Sequence, residues 1–377
     1  MKTGELMENL YRRNPSGSTR RNFLKGAGTL GLTLAAAGRA RGQSASVVVI
    51  NEDGTVSTNA VAEWGFSGVA NHDPAHYLDF AQSIGFAHPD RFITWADGIA
   101  TGTRQVNAFN PGGTLGPRLL LWAGTPAKVT VSMPMCLPAA SGDSLAVSNG
   151  GANDANWTAI GTKIVALGLG GCTIRLGWEF NLSNHPWRAQ LTGIPGPSPD
   201  WVPLFRRIVG LLRAVPGQSF KFDWCPGLTG SQFTQAGLES LYPGDPYVDY
   251  IGMNCYNQIG QGETLIPAAF RGSAALHWSY WANNNNGINL NWLATFAAAH
   301  GKQISIPEWG QNVNQLWASG QPNDDPYFVL QLGNWIKTHN VAYHIYFTAP
   351  APAFAGGFDI VNQPLSVAAW KAAFRRR

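Results

Sequence analysis

Two glutamates stand out by position. The 377-residue chain contains eight, and Glu179 and Glu308 each close a strongly apolar run, Thr-Ile-Arg-Leu-Gly-Trp-Glu-Phe-Asn over 173–181 and Gln-Ile-Ser-Ile-Pro-Glu-Trp-Gly over 303–310. Burying a lone carboxylate is costly, so such placements imply a use for the charge. Trp178 and Trp309 flank them, offering apolar walls able to raise a carboxylic acid's pKa on one side of a cleft. Two carboxyl groups held about 5 Å apart suit glycoside hydrolysis with retention, one protonating the leaving oxygen while the other attacks the anomeric carbon.

The elements that must hold them alternate. Short β-branched runs at 63–69, 91–95, 128–133, 173–179, 219–224, 250–254, 303–308 and 342–347 predict eight strands, and amphipathic patterns at 75–83, 153–167, 202–214, 290–300, 327–339 and 366–374 predict intervening helices. This implies an α/β fold, a (β/α)8 TIM barrel with enlarged βα loops, as a single domain over 46–377. No glycine-rich phosphate fingerprint follows any strand, which argues against a doubly wound sheet. Glu179 and Glu308 lie 129 residues apart, or three βα units at about 40 residues each. That places them on strands four and seven, across one barrel mouth.

The pattern resembles the large clan of (β/α)8 retaining β-glycosidases, whose acid/base glutamate ends strand four and whose nucleophile ends strand seven. Arg175, Asn181, the Tyr-Pro-Gly-Asp-Pro-Tyr-Val-Asp-Tyr-Ile-Gly run at 242–252 and Pro-Glu-Trp-Gly at 307–310 are most similar to glycoside hydrolase family 26, the β-mannanase family. The resemblance implies an endo-acting hydrolase of a neutral polysaccharide, β-1,4-mannan first, working by double displacement without metal or cofactor. Glu179 would be general acid/base, Glu308 the nucleophile, and Tyr256 a hydrogen-bond donor to Glu308. Arg175 would be an internal cation beside the nucleophile. There are two departures: Trp178 stands where that family usually has His, and the strand-eight indole of many clan members is replaced by the region of Tyr343, Tyr346 and Phe347. These leave a β-glucanase or xylanase as alternatives within the clan, and a non-catalytic polysaccharide-binding barrel as an alternative class.

Forty-three aromatics suit a sugar cleft, since pyranose rings present flat apolar faces. Trp178, Trp187, Trp224, Trp309 and Tyr346 lie at or beyond strand ends and are expected to line it, Trp187 foremost, with His185 and Asn181 beside them. His72 and His76 have helical metal-ligand spacing, but Pro74 between them favours a solvated or capping pair over a metal site. The four cysteines lack zinc-site spacing and suit buried thiols, with Cys225 and Cys255 the pair to test for a disulfide.

The net charge of +4 is unevenly distributed. Residues 1–41 carry eight Lys/Arg and two Glu, leaving 18 basic and 20 acidic residues in the remainder, so no nucleic-acid partner is expected. Ser-Thr-Arg-Arg-Asn-Phe-Leu-Lys at 18–25, followed by a short apolar stretch and small residues, resembles a twin-arginine export signal. It predicts a leader and short linker over 1–45, recognition by the twin-arginine machinery, a periplasmic or secreted destination, and no permanent membrane span.

Overall fold

The computed structural model describes residues 46–50, 56–60, 62–67, 80–82, 89–96, 106–123, 125, 127–136, 142–183, 185–190, 196–228, 231, 233–257, 266–317, 319–349 and 356–374. The expected leader at 1–45, His72 and His76 lie outside them, as does most of the helix expected at 75–83. The chain divides into two units, Met1–Val61 and Ala62–Arg377. In the first, β1 (Ser46–Ile50) pairs antiparallel with β2 (Val56–Ala60). The sequence reading did not anticipate this ribbon.

The second unit is a TIM barrel. Its staves are β3 (Glu63–Ser67), β4 (Arg91–Trp95), β5 (Lys128–Met133), β6 (Thr173–Leu176), β7 (Lys221–Trp224), β8 (Tyr250–Gly252), β10 (Gln303–Gln311) and β11 (Val341–Tyr346). β9 (Cys255–Asn257) resumes the sixth stave beyond a two-residue break and pairs with the far end of β10. All these pairings are parallel, and β11 closes on β3. The eight expected strands are thus present, but β6 stops three residues before Glu179 and β10 runs three past Glu308.

Strand parity divides the side chains. On β5, Thr130 and Ser132 bond arginines inside the barrel, whereas Val129, Val131 and Met133 join the apolar core. Both faces are covered, so the strand is nearly continuously buried. The outer layer includes α1 (Asp154–Ala166), α2 (Trp201–Arg213), α3 (Leu290–Ala299), α4 (Pro326–Thr338) and α5 (Pro364–Phe374). On α2, Trp201, Leu204, Phe205, Ile208, Val209 and Leu212 are buried, the one-sided stripe of a helix laid on a sheet. Asn289 caps α3 through the Trp292 N–H, and Asp325 caps α4 through those of Tyr327 and Phe328. Close packing inside the barrel leaves no space for a side chain at 252, where an added Cβ would sit 2.3 Å from Ser305 Oγ and 2.7 Å from Asp223 Oδ1.

All four cysteines are buried free thiols. Cys225 Sγ lies against Asn254 Oδ1 at 3.5 Å instead of bonding Cys255, so the disulfide considered for that pair is absent. Burial pushes the Cys255 thiol up to about 12. Among the described residues, no helix is long and apolar enough to cross a membrane.

Candidate active site

β6, the loop that follows it, β9 and β10 bring five expected residues together, Arg175, Glu179, His185, Tyr256 and Glu308. Arg175 is fully buried and donates from Nη1 to Ser132 Oγ (3.1 Å) and to Glu308 Oε1. Tyr256, on β9, donates to Glu308 Oε2 at 2.6 Å. Glu308 therefore accepts on both oxygens, the bonding pattern of an ionised carboxylate. Burial first, then the charges of Glu308 and Glu179, pushes the Tyr256 phenol well above its ordinary range, so it remains a donor.

Glu179 is presented differently. After β6 the chain leaves the strand through Gly177 (φ 58°) and Glu179 itself (φ 53°), whose left-handed backbone is unusual for a residue with a Cβ. Such a conformation costs on the order of 1–3 kcal/mol and persists where surrounding contacts over-determine it. Here the Glu179 N–H donates to the Cys225 carbonyl (2.9 Å), and Asn181 exchanges two hydrogen bonds with Gly227 (2.7 and 2.8 Å). The carboxylate accepts from Asn254 Nδ2 at 2.8 Å and lies 3.1 Å from His185 Nε2. Asn254 in turn accepts from Arg175 Nη2 at 2.7 Å, so one guanidinium organises both glutamates.

The Trp-lined wall expected to raise an acid's pKa does not prevail at Glu179. Burial does push it up, but hydrogen bonds from His185 and Asn254 and the charge of Arg175 outweigh this and hold the carboxyl below its ordinary value. Its neighbours are polar because the turn at 177–179 carries the side chain away from the apolar strand.

Several expected sugar platforms are instead packing residues. Trp224, Trp309 and Tyr346 are fully buried; their polar atoms donate to the Leu241 carbonyl, His344 Nδ1 and Gln363 Oε1. Parity explains this, because Asp223 and Glu308 point into the barrel and their next neighbours therefore point outward. Trp309 stacks on Trp370 at 5.0 Å in the outer layer. Trp187 and Trp178 are also buried, at 4 % and 3 % exposure. Trp187 donates to the Trp178 carbonyl (2.7 Å), and the two indoles pack 4.3 Å apart behind His185.

Two participants were not singled out from sequence. Trp95, at the end of β4, donates from Nε1 to Glu308 Oε1 at 3.2 Å, and Asn254 bridges Arg175 to Glu179. Trp95 ends β4 and Asn254 closes the run expected as a strand at 250–254, the feature that drew attention to the glutamates. Phe347, the inward neighbour of Tyr346, meets Trp95 and Tyr256 edge-on, each at 5.7 Å, and Phe358 at 5.1 Å. This replaces the misassigned indoles as the ring-lined wall beside Glu308. Asp223 lies inside the barrel, accepting from Ser305 (2.8 Å) and Tyr343. Among the described residues no cluster of three or more His, Cys, Asp or Glu could hold a metal ion.

No family profile and no curated protein sequence matches the chain. Its fold is nevertheless that of the (β/α)8 barrels of GH26 β-mannanases. The GH26 β-mannanase from Bacteroides ovatus superposes with a TM-score of 0.55 at 16% identity, covering 83% of this chain and 88% of that one. A modular endo-β-1,4-mannanase from Cellulomonas fimi gives 0.56 at 19% identity, over 84% and 70%. The catalytic domain of the GH26 endo-β-1,4-mannanase of Bacillus sp. JAMB-750 gives 0.55 at 16%, over 82% and 85%.

Proposed function

We propose that this protein is a retaining endo-β-glycoside hydrolase acting on β-1,4-mannan. The supporting observation is the linked pair of glutamates at one barrel mouth, Glu308 bonded by Arg175, Trp95 and Tyr256, and Glu179 bonded by Asn254 and His185. In this reading Glu308 attacks the anomeric carbon while Glu179, protonated, gives its proton to the leaving oxygen. Water then attacks the glycosyl-enzyme and returns a proton to Glu179. The three donors around Glu308 disperse its charge before attack and receive it again when the ester breaks. Mannan is supported by the likeness to mannanase barrels, and neutrality of the substrate by the slightly acidic balance beyond the leader. The twin-arginine pattern at 18–25 supports export to the periplasm or medium, and Arg20→Lys with Arg21→Lys is expected to abolish it.

The test is release of reducing ends from mannan, mixed-linkage glucan, cellulose and xylan, with product configuration followed by NMR. Mannan is expected to be cleaved with retention. Preference for glucan or xylan would replace the substrate, an inverted product would exclude the double displacement, and binding without turnover on every polymer would favour a non-catalytic barrel.

A further inference from the structure

His185 is held more firmly than a loop residue in contact with solvent requires. Its ring stacks on Trp187 at 4.6 Å and 13°, with Trp178 5.6 Å away. Trp187 is itself fixed by its bond to the Trp178 carbonyl, and its own carbonyl accepts from Trp201 Nε1 at 3.1 Å. The His185 carbonyl accepts from the Arg188 N–H at 3.1 Å. This bracket delivers Nε2 to Glu179 Oε2, while Asn254 fixes Oε1 from the other side. A carboxylate that accepts on both oxygens is fixed in orientation and favoured in its ionised form, which keeps it available as a base and opposes the protonation an acid needs.

We propose that His185 is a positioning residue that holds Glu179 oriented and in its base form, so that it serves the second half of the double displacement more than the first. The proposal rests on the hydrolase reading above. In that second half, water bonds to the anomeric carbon, its proton passes to Glu179, and the bond from carbon to Glu308 breaks, returning the electron pair to the carboxylate. A carboxylate held ionised and aimed at the attacking water is ready to take that proton, and its fixed orientation is what favours this step. In the first half the same contact opposes protonation of Glu179. Of the other charged or titratable groups nearby, Arg175, Glu308 and Tyr256 act on the site from β6, β10 and β9. On the loop side, Arg188 bonds the His185 carbonyl and Cys136 Sγ bonds the Pro186 carbonyl at 3.3 Å.

Two measurements separate this role from simple packing. With 2,4-dinitrophenyl β-mannobioside the leaving group departs without a proton, so kcat reports the second half. For His185→Ala we expect kcat to fall about tenfold with a matching fall in KM, leaving kcat/KM nearly unchanged. His185→Gln, which keeps a donor of similar reach, is expected to recover most of kcat and guards against loss of folding. Equal losses in kcat and kcat/KM in both variants would overturn the proposal. Independently of turnover, carboxyl-carbon NMR of the glutamates, with Glu179 identified through Glu179→Gln, should show its midpoint rising by about one pH unit in His185→Ala. An unmoved midpoint overturns the pairing whether or not any glycan is hydrolysed. A moved midpoint in a native protein that hydrolyses nothing supports the pairing and removes the hydrolase reading.

Discussion

Among the described residues the barrel contains two buried arginines, each paired with a glutamate, and the pairs are used differently. At the base, Arg91 donates from Nε (3.2 Å) and Nη2 (2.7 Å) to Glu63 Oε2 and from Nη1 to Thr130 and Thr173, with Tyr343 4.2 Å beneath its guanidinium. Lys128 also bonds Glu63. This cluster ties β3 to β6, and among the described residues Arg91 donates to no carboxylate but Glu63. At the mouth, Arg175 spreads its donors over Ser132, Glu308 and Asn254, and through Asn254 it reaches a second glutamate carried on a strained turn. An ion pair between strands is therefore no sign of chemistry by itself. What distinguishes the upper one is convergence: two further donors on Glu308, and a second carboxylate bonded from the opposite side.

The sharpest way to break this contrast is to remove each carboxylate's function in turn. Glu308→Ala is expected to lower turnover of the best polymer by at least about 10⁴-fold while binding survives in a pull-down on that polymer; retained activity would dissolve the distinction between the pairs. Glu179→Ala should cost about 10²–10⁴-fold on the polymer and far less in the first step with a dinitrophenyl leaving group. Arg91→Met should reverse the pattern, with a loss of about 3 kcal/mol of stability in urea unfolding and unchanged kcat per folded molecule.

The layer between the two pairs gives the smallest effect and fixes the sign of a pH dependence. Burial raises the Asp223 carboxyl to about 6, against bonds from Tyr343 and Ser305 and the charges of Arg175 and Arg91 that pull it down. Since the folded pKa exceeds the unfolded one, folding favours the neutral acid. The contribution of Asp223 to stability is then greatest below the unfolded carboxyl range near 4 and declines as pH rises to about 6, by on the order of 3 kcal/mol. Asp223→Asn should flatten that decline in melts taken from pH 4 to 7, and a slope as steep as the native one would show that another group carries it.

Strand content was legible because eight apolar runs, each long enough for one stave, are separated by helical stripes. The glutamates were legible because charge at the end of an apolar run has few structural uses. Assigning Trp224, Trp309 and Tyr346 to the cleft failed for a specific reason: being at a strand end was weighed without parity, and one residue separates the barrel interior from the helix layer. Applied to Glu308, the same alternation excludes Trp309. Trp187 could not have been placed in this way, since it lies on a loop whose path depends on the turn at 177–179.

The sequence by itself determined which groups could do chemistry and the barrel that would present them, since periodicity and the cost of burying charge are local properties. Only the tertiary structure decided how those groups are protonated and joined. Asn254, Trp95 and His185 reach the glutamates across 75, 213 and 6 residues of chain respectively, and the bonds from Asn254 and His185 reverse the expectation set by the neighbouring tryptophans at Glu179. A carboxyl's charge state follows from the dipoles and charges within a few ångströms, and the closure of the barrel brings those groups there.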